Sequence, residues 1–391
     1  MITVKDAQEN IIKNTSLAKI IEVDLSSALG SHLAVDLYSP HPIPFFNQSA
    51  VDGYAFNFNQ LLASYTIVEK IPAGDTRRIT INEGEAARIF TGSKVPDGCD
   101  TVIMQEFTKV ENNQLFVDDD QLQKGGNIRT KGYQIKQGDI ALSKGTILNP
   151  AAIGFLATLG ITEVSIFTLP KVSILITGNE LVPLGEKLAE GQIYESNSFM
   201  LKAAFEKMHI SPRIIHIKDD QKATTNAITN ALNNSDIVVL SGGISVGDYD
   251  FVQQGILENG VTQIFYKVAQ KPGKPLFFGK KENKAVFGLP GNPAAALTCF
   301  YEYIFPYINL SFGLKQAFLN QLQLPISKDI KQKPGRATFL KATTDFKTVT
   351  PLEGQNSDAL QSFAHANALL LTPADAAMIK KGELVTVHLL P

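Results

Sequence analysis

Between residues 171 and 312 the chain alternates apolar, β-branched runs of strand length with segments of helical periodicity. No other feature restricts the fold as much. KVSILITG, PRIIHI, DIVVLSGG and KAVFGLPG read as strands. SNSFMLKAAFEKM, with Ser196 or Asn197 as its N-cap, reads as a helix, as do 220–233 and a long apolar stretch at 294–312. Strands that lie between helices on both faces are apolar throughout instead of alternating. The pattern therefore predicts a doubly wound, mostly parallel sheet.

The flanks read differently. A chain of 391 residues exceeds what one core usually organises, so several domains are expected. Residues 4–22 have near-helical spacing, and 25–30 suggest a second short helix ended by Gly30. Pro40-His41-Pro42-Ile43-Pro44 fits neither helix interior nor central strand and reads as a hinge. Short strands broken by glycine follow (YTIVEKI, EAARIF, DTVIMQEF, QLFVDD, DIALSKG), which suggests a β-rich domain at 46–140. The partly helical stretch 141–170 is expected to return to residues 1–45, making a discontinuous first domain. The doubly wound domain then spans 171–325, and 326–391 form a small β-barrel or sandwich.

Composition narrows the function. With 36 basic and 38 acidic residues the formal charge is −2, which argues against a nucleic-acid binder with a broad cationic face. No signal-peptide core and no run of about 20 apolar residues is present, so a soluble cytoplasmic protein without membrane contact is expected. Cys99 and Cys299 read as two free thiols, and no zinc-ligand spacing, catalytic triad or P-loop appears.

In open α/β sheets ligands bind beyond the carboxyl ends of the strands, and the unusual turns of this chain fall there. KVSILIT runs into Gly178-Asn179-Glu180, and DIVVL runs into the loop Ser241–Asp250. Lys271-Pro272-Gly273-Lys274-Pro275 precedes one short strand, and AVFGL delivers Pro290-Gly291-Asn292-Pro293 into the last helix. Gly242, Gly243 and Gly247 let backbone N–H groups approach an anion, and a helix beginning near Asp250 adds its positive end. Asp248 and Asp250 beside that cradle suit Mg²⁺ bridging to phosphate. Glu180 reads as a third ligand or as a helix-end charge. Lys271 and Lys274, stiffened by prolines, suit an oxyanion, against the alternative of a solvated basic turn. Pro290–Pro293 offers a fixed turn with free N–H groups, or a plain connection. In the β-rich region Asp52-Gly53 reads locally as a hairpin turn, and Thr91-Gly92-Ser93 and Pro96–Asp100 as turns.

Taken together, these stretches resemble the molybdopterin molybdenumtransferase family, the bacterial MoeA proteins and the gephyrin E domain, from about Pro44 to the C-terminus. The resemblance rests on Ser49–Ala55, Arg88–Gly92, Asp100–Val102, Glu106, Gly126–Arg129, Thr177–Leu181, Glu195–Asn197, Ser241–Asp250, Lys271–Pro275 and Leu289–Pro293. It implies four domains: a discontinuous elongated one, a β-rich one, a doubly wound one like the molybdopterin adenylyltransferases, and a C-terminal β-barrel. It also implies an elongated homodimer. The activity implied joins molybdate to adenylylated molybdopterin with Mg²⁺, releasing AMP and molybdenum cofactor. Catalytic roles would then fall to Asp52, Thr91, Glu180, Asp250, Lys271 and Lys274, with Asp52 and Thr91 contributed across the dimer. Metal would lie on Glu180, Asp248 and Asp250. Substrate contacts would come from Gly242, Gly243, Ser245, Gly247, Pro290, Gly291, Asn292, Pro293, Arg336 and Ser357. Partners implied are a molybdopterin adenylyltransferase and the maturation proteins of molybdenum enzymes.

The chain departs from the family pattern at several places. Tyr133 and Gln134 replace an acidic pair, Asn179 stands for aspartate and Lys341 for arginine, which leaves metal ligation open. A choice between molybdate and tungstate is not legible. The rival readings are a molybdopterin adenylyltransferase, which lacks the flanking domains, and a non-catalytic scaffold with the same fold.

Overall fold

A computed structural model describes residues 1–58, 62–218, 220–243 and 251–391. The chain divides into two compact units, Glu22–Val164 and the combination of Met1–Ile21 with Ser165–Pro391. Helix α1 (Val4–Asn14) opens the second of these behind a reciprocal cap. The Asp6 amide donates to Thr3 Oγ1 and the Thr3 amide to Asp6 Oδ2, each at 3.1 Å. The helix expected over 4–22 stops at Asn14, because Asn14 and Thr15 turn their side chains back onto the carbonyls of Asn10 and Ile11. Ile20–Asp24 is a strand. The second short helix shrinks to one 3₁₀ turn, Leu25–Ser27.

The unit Glu22–Val164 is built on a six-stranded sheet. Its strands are β1 (Gly53–Phe56), β2 (Tyr65–Ile71), β3 (Glu85–Ile89), β4 (Thr101–Met104), β5 (Thr108–Glu111) and β6 (Gln114–Val117), in the order β4-β1-β3-β2-β6-β5. Only β2 and β3 run parallel. Phe56, Tyr65, Ile103 and Leu115 form the core of one face. Asp52-Gly53 is not a hairpin turn, contrary to its local appearance. The strand before it, Gln48–Ser49, pairs with Ile128–Arg129, whereas β1 pairs with β3 and β4. Long-range pairing has overridden the turn preference of Asp-Gly.

In the other unit the central sheet contains β7 (Val172–Thr177), β8 (Arg213–Ile217), β9 (Ile237–Ser241), β10 (Thr262–Tyr266), β12 (Phe277–Lys281) and β13 (Lys284–Leu289), with a short strand β11 (Gln270–Lys271) between β10 and β12. The order is β8-β7-β9-β13-β12-β10; every strand runs in one direction except β12, which is antiparallel to both of its neighbours, β13 and β10. Helices cover both faces, as the alternation of apolar runs with helices requires. Val286 and Phe277 face α4 (Gln221–Asn234) and α5 (Phe251–Glu258) through Ile228, Leu232, Val252 and Ile256. Their neighbours Phe287 and Phe278 meet Tyr307 on the opposite side, with ring centroids 5.5 and 5.9 Å apart. Each fully buried ring of this kind contributes roughly 1.5–3 kcal/mol.

Helix α3 (Asn197–Glu206) follows β7 with Ser196 at the N-cap position, as expected, but the Ser196 side chain does not make the cap. Glu195 takes over, accepting from the Ser198 amide at 2.8 Å and from the Ser198 hydroxyl. A buried carboxylate holds exposed helix N–H groups more strongly than a hydroxyl does. The apolar stretch 294–312 is also not one helix. It divides into α6 (Pro293–Cys299), a π-helical turn Phe300–Ile304 and α7 (Phe305–Ser311). Pro306 has no N–H, and its ring would strike the carbonyl one turn back, so the backbone widens ahead of it.

The C-terminal sheet runs β11-β15-β16-β17-β14, from β14 (Gln321–Pro325), β15 (Ala337–Thr344), β16 (Ala368–Thr372) and β17 (Leu384–Leu389). Its edge strand β11 comes from the middle of the doubly wound region and pairs in parallel with β15, Gln270 opposite Ala337 and Lys271 opposite Thr338. His388 on β17 is tied to Glu302 of the π turn at 2.7 Å, with both side chains only 2% exposed. Removing one member of such a pair strands a buried polar group, while removing both does not. His388→Leu and Glu302→Leu are each expected to destabilise the unit by about 3 kcal/mol in urea unfolding, and the double variant by clearly less than their sum.

Candidate active-site cleft

Register brings the turns together. Ile176, Ser241 and Leu289 are cross-strand partners on β7, β9 and β13, so the three strands end level. The next residues, Thr177, Gly242 and Pro290, emerge side by side into a cleft of about 750 Å³. Glu180, Gly242, Gly243, Pro290, Gly291, Asn292, Pro293 and Ser357 all line it, together with Gly273 and Pro275 of the lysine turn. Gly242 sits at φ +93° with the Thr177 carbonyl 2.5 Å from where a Cβ would stand, so no side chain is possible there.

The lysine turn is cast around buried atoms. Gln270, fully buried, donates from Nε2 to the carbonyls of Pro272 (3.1 Å) and Gly273 (3.3 Å). Those acceptors fix the orientation of the amide, so its Oε1 faces Tyr303, whose hydroxyl donates to it. A Cβ on Gly273 would lie 2.5 Å from Cys299 Sγ, and its φ is +87°. Lys271 and Lys274 are exposed on either side of this fixed glycine.

The loop carrying Ser357 is held by Lys341. Its buried ammonium donates to the carbonyls of Gly354 (2.7 Å), Asn356 (3.1 Å) and Ala359 (3.0 Å). Burial lowers the pKa of this lysine, and the nearby Asp358 carboxylate partly opposes that. Asn292 does not cap its own helix; its Nδ2 donates to Ser357 Oγ at 2.6 Å. The Ser357 carbonyl in turn takes the Ala295 amide at 3.1 Å. The supply of free N–H groups expected at Pro290–Pro293 is therefore reduced: the turn is fixed, but one helix-end donor is spent within the protein.

Asp52 and Thr91 belong to the unit Glu22–Val164, where they form a pair. Asp52 Oδ1 accepts from the Thr91 amide and hydroxyl, each at 2.8 Å, and these bonds hold the carboxyl below its ordinary pKa. Ser245, Gly247, Asp248 and Asp250 lie outside the described residues. Arg336 is exposed at the start of β15 and is not part of the cleft lining. Among the described residues no group of three His, Cys, Asp or Glu side chains could hold a metal ion together, and no helix is long and apolar enough to cross a membrane. Both cysteines are free. Desolvation pushes the Cys99 thiol up to about 12 and the fully buried Cys299 thiol higher still.

Two residues missing from the expected set stand in the cleft wall, Thr177 and Asn197. The sequence did mark their neighbourhood, since Thr177–Leu181 and Glu195–Asn197 are among the stretches that carry the family resemblance, but it assigned neither residue a role.

The chain is 33% identical over 403 residues to a curated molybdopterin molybdenumtransferase of Staphylococcus epidermidis, covering 99% of this chain and 95% of that one. A Staphylococcus aureus protein of the same name is 32% identical over 400 residues, with the same coverage. The chain belongs to the molybdopterin molybdenumtransferase family. Three family models match within it: the MoeA N-terminal region (domains I and II) at residues 2–160, a probable molybdopterin-binding domain at 173–310, and the MoeA C-terminal region (domain IV) at 323–390. The crystal structure of the Pyrococcus horikoshii molybdopterin biosynthesis MoeA protein superposes with a TM-score of 0.86 at 29% identity, covering all of both chains. In this molybdenumtransferase-family member the cleft lies within the region matched as molybdopterin-binding, except for Ser357 and Asp358.

Tyr303→Phe deletes only the hydroxyl that occupies Gln270 Oε1. A buried acceptor left without a donor costs about 1–3 kcal/mol. The variant is expected to lose about that much stability by chemical denaturation, with β-sheet content unchanged by circular dichroism.

Proposed function

We propose that the chain inserts molybdenum into adenylylated molybdopterin in the cytoplasm, consuming molybdate, releasing AMP and requiring Mg²⁺. One observation carries the reading: three level strand ends bring an acidic side chain, a glycine pair, a rigid lysine-bearing turn and the Ser357 loop to one cleft. That set suits reactants that repel one another. Molybdate and a phosphoanhydride are both anions, so fixed positive charge and hydrogen-bond donors must offset their repulsion before they can meet.

In this reading Lys271 and Lys274 neutralise oxyanion charge from the rim. Gly242, Gly243 and Gly291 let backbone come close to the substrate, and substrate contacts are assigned to Ser245 and Gly247 as well. Pro290 and Pro293 keep the last turn rigid, while Asn292 and Ser357 face the substrate as a hydrogen-bonded pair. Mg²⁺ usually binds phosphate through one or two protein carboxylates and keeps several waters. Glu180 in the cleft lining is a hard oxygen donor of that kind, and the proposal joins Asp248 and Asp250 to it. The ion would supply neutralisation between phosphate oxygens. The protein's own share is to position the two reactants. Asp52 and Thr91 enter through a homodimer, each subunit serving the cleft of the other. Arg336 is left out, since it is absent from the lining.

Purified protein given adenylylated molybdopterin, molybdate and Mg²⁺ is expected to release AMP only when molybdate is present. Lys274→Ala is expected to lower kcat about 100-fold or more, as losing one preorganised charge-stabilising group does, and Asp250→Ala to do the same. Release of AMP that ignores molybdate, or full activity in both variants, sinks the reading. Chelation with EDTA is expected to stop the reaction and added Mg²⁺ to restore it; undiminished turnover in EDTA removes the metal from the scheme.

A further inference from the structure

Two polar atoms in the cleft wall have no partner among the described residues. Thr177 Oγ1, at the end of β7, and Asn197 Oδ1, at the start of α3, are both closed off from water and make no hydrogen bond. Both residues line the cleft, and Thr177 is only 5% exposed. Buried polar atoms of folded proteins are nearly always paired, so an orphan at a ligand cleft calls for a partner that arrives with the ligand.

The chemistry of that partner follows from the bonds already made. Asn197 Nδ2 donates to Ser241 Oγ at 2.8 Å and to the Gly291 carbonyl at 2.7 Å. A carbonyl can only accept, so the nitrogen must face Gly291 and the orientation of the amide is settled. Both amide hydrogens are then used, and Oδ1 can only accept. Deprotonated molybdate or phosphate has no hydrogen to give it, so this wall does not suit the anionic part of a ligand. It suits an N–H or O–H group. Thr177 can take either role, and it is kept clear of side chains on one side, since Cβ atoms on Gly242 and Gly243 would stand 3.1 and 3.0 Å from its hydroxyl.

A second observation points to the shape of the ligand. The cleft shares Ile176, Gly178, Leu181 and Glu195 with a neighbouring pocket of about 810 Å³. Leu181, Pro183, Leu184 and Phe199 give that pocket an apolar side, with His216 and Lys218 also in its lining. Phe199, two residues beyond Asn197, is 56% exposed, an aromatic side chain left open where a flat ring could lie against it.

We propose that Thr177 and Asn197 form the seat for the N–H edge of a planar heteroaromatic ring, with Phe199 lining the pocket that adjoins this wall. Pterin and adenine share this chemistry. The inference rests on the function proposed above and adds to it the wall that receives the uncharged end of the substrate, leaving the charged part to the rim that carries the lysine turn.

The test uses the full chain and Thr177→Val, which keeps the shape of the side chain and removes its hydroxyl. Asn197 is left intact because it also ties β9 to the Pro290–Pro293 turn. Binding of three probes is measured by calorimetry: AMP, unsubstituted 2-amino-4-oxopteridine and inorganic pyrophosphate. The variant is expected to bind at least one ring probe about tenfold more weakly, with pyrophosphate unchanged and Thr177→Ser restoring the loss. Weakening of AMP alone assigns the seat to adenine, and of the pteridine alone to the pterin. Three results overturn the proposal: unchanged binding of both ring probes, an equal loss for all three ligands, or wild-type protein that binds neither ring probe. Failure of the proposed function reads differently, as wild-type protein that binds a ring probe yet releases no AMP with molybdate.

Discussion

Parallel pairing of Val172–Thr177, Ile237–Ser241 and Lys284–Leu289 is the constraint on which the candidate site depends. Because Ile176, Ser241 and Leu289 sit opposite one another, the three strands finish at one level. Whatever follows each strand is delivered to the same rim. A slip of one residue in any of them would turn its side chains to the opposite face and carry its turn away from the others. The register is protected by burial: every residue of all three strands is buried except Lys284, so alternative pairings would expose apolar surface or bury a charge.

Beneath the rim, single buried polar side chains set the backbone of the turns. The amide of Gln270 holds the carbonyls of Pro272 and Gly273, and the ammonium of Lys341 holds those of Gly354, Asn356 and Ala359. A buried group of this kind is tolerable only when its donors are paired, and pairing makes it directional. Flexible connections become fixed ones. The strand Gln270–Lys271 belongs to the C-terminal sheet, and Asn292 is bonded to Ser357, so the doubly wound sheet and the C-terminal sheet both shape the cleft.

Where sequence and structure part, nonlocal contacts are the reason. Asp52-Gly53 has the composition of a hairpin turn, yet the strands that claim its neighbours are more than thirty residues away. Nothing within a few residues of Pro306 reveals how a helix will pass it, and the answer is a widened turn that aims Glu302 at His388. Ser196 takes the N-cap position that the sequence gives it, but the bond to the helix end is made by its buried neighbour Glu195, which accepts from the Ser198 amide. The helix starting at Pro293 seemed to offer its free N–H groups to a ligand, and Ser357, sixty-odd residues later, uses one of them.

The sequence by itself determined the layered α/β architecture, the presence of a β-rich region and a C-terminal β region, and the turns that gather at one edge of the sheet. It could do so because periodicity, β-branching, glycine and proline act over a few residues, and because strand ends in a doubly wound sheet have a known place. Only the tertiary structure decided that Gln270 is an edge strand of another sheet, that Lys341 is a support for the Ser357 loop, and that Thr177 and Asn197 are left with unused acceptors. Those properties depend on which distant groups fill the available hydrogen bonds, a question that no local pattern of residues can answer.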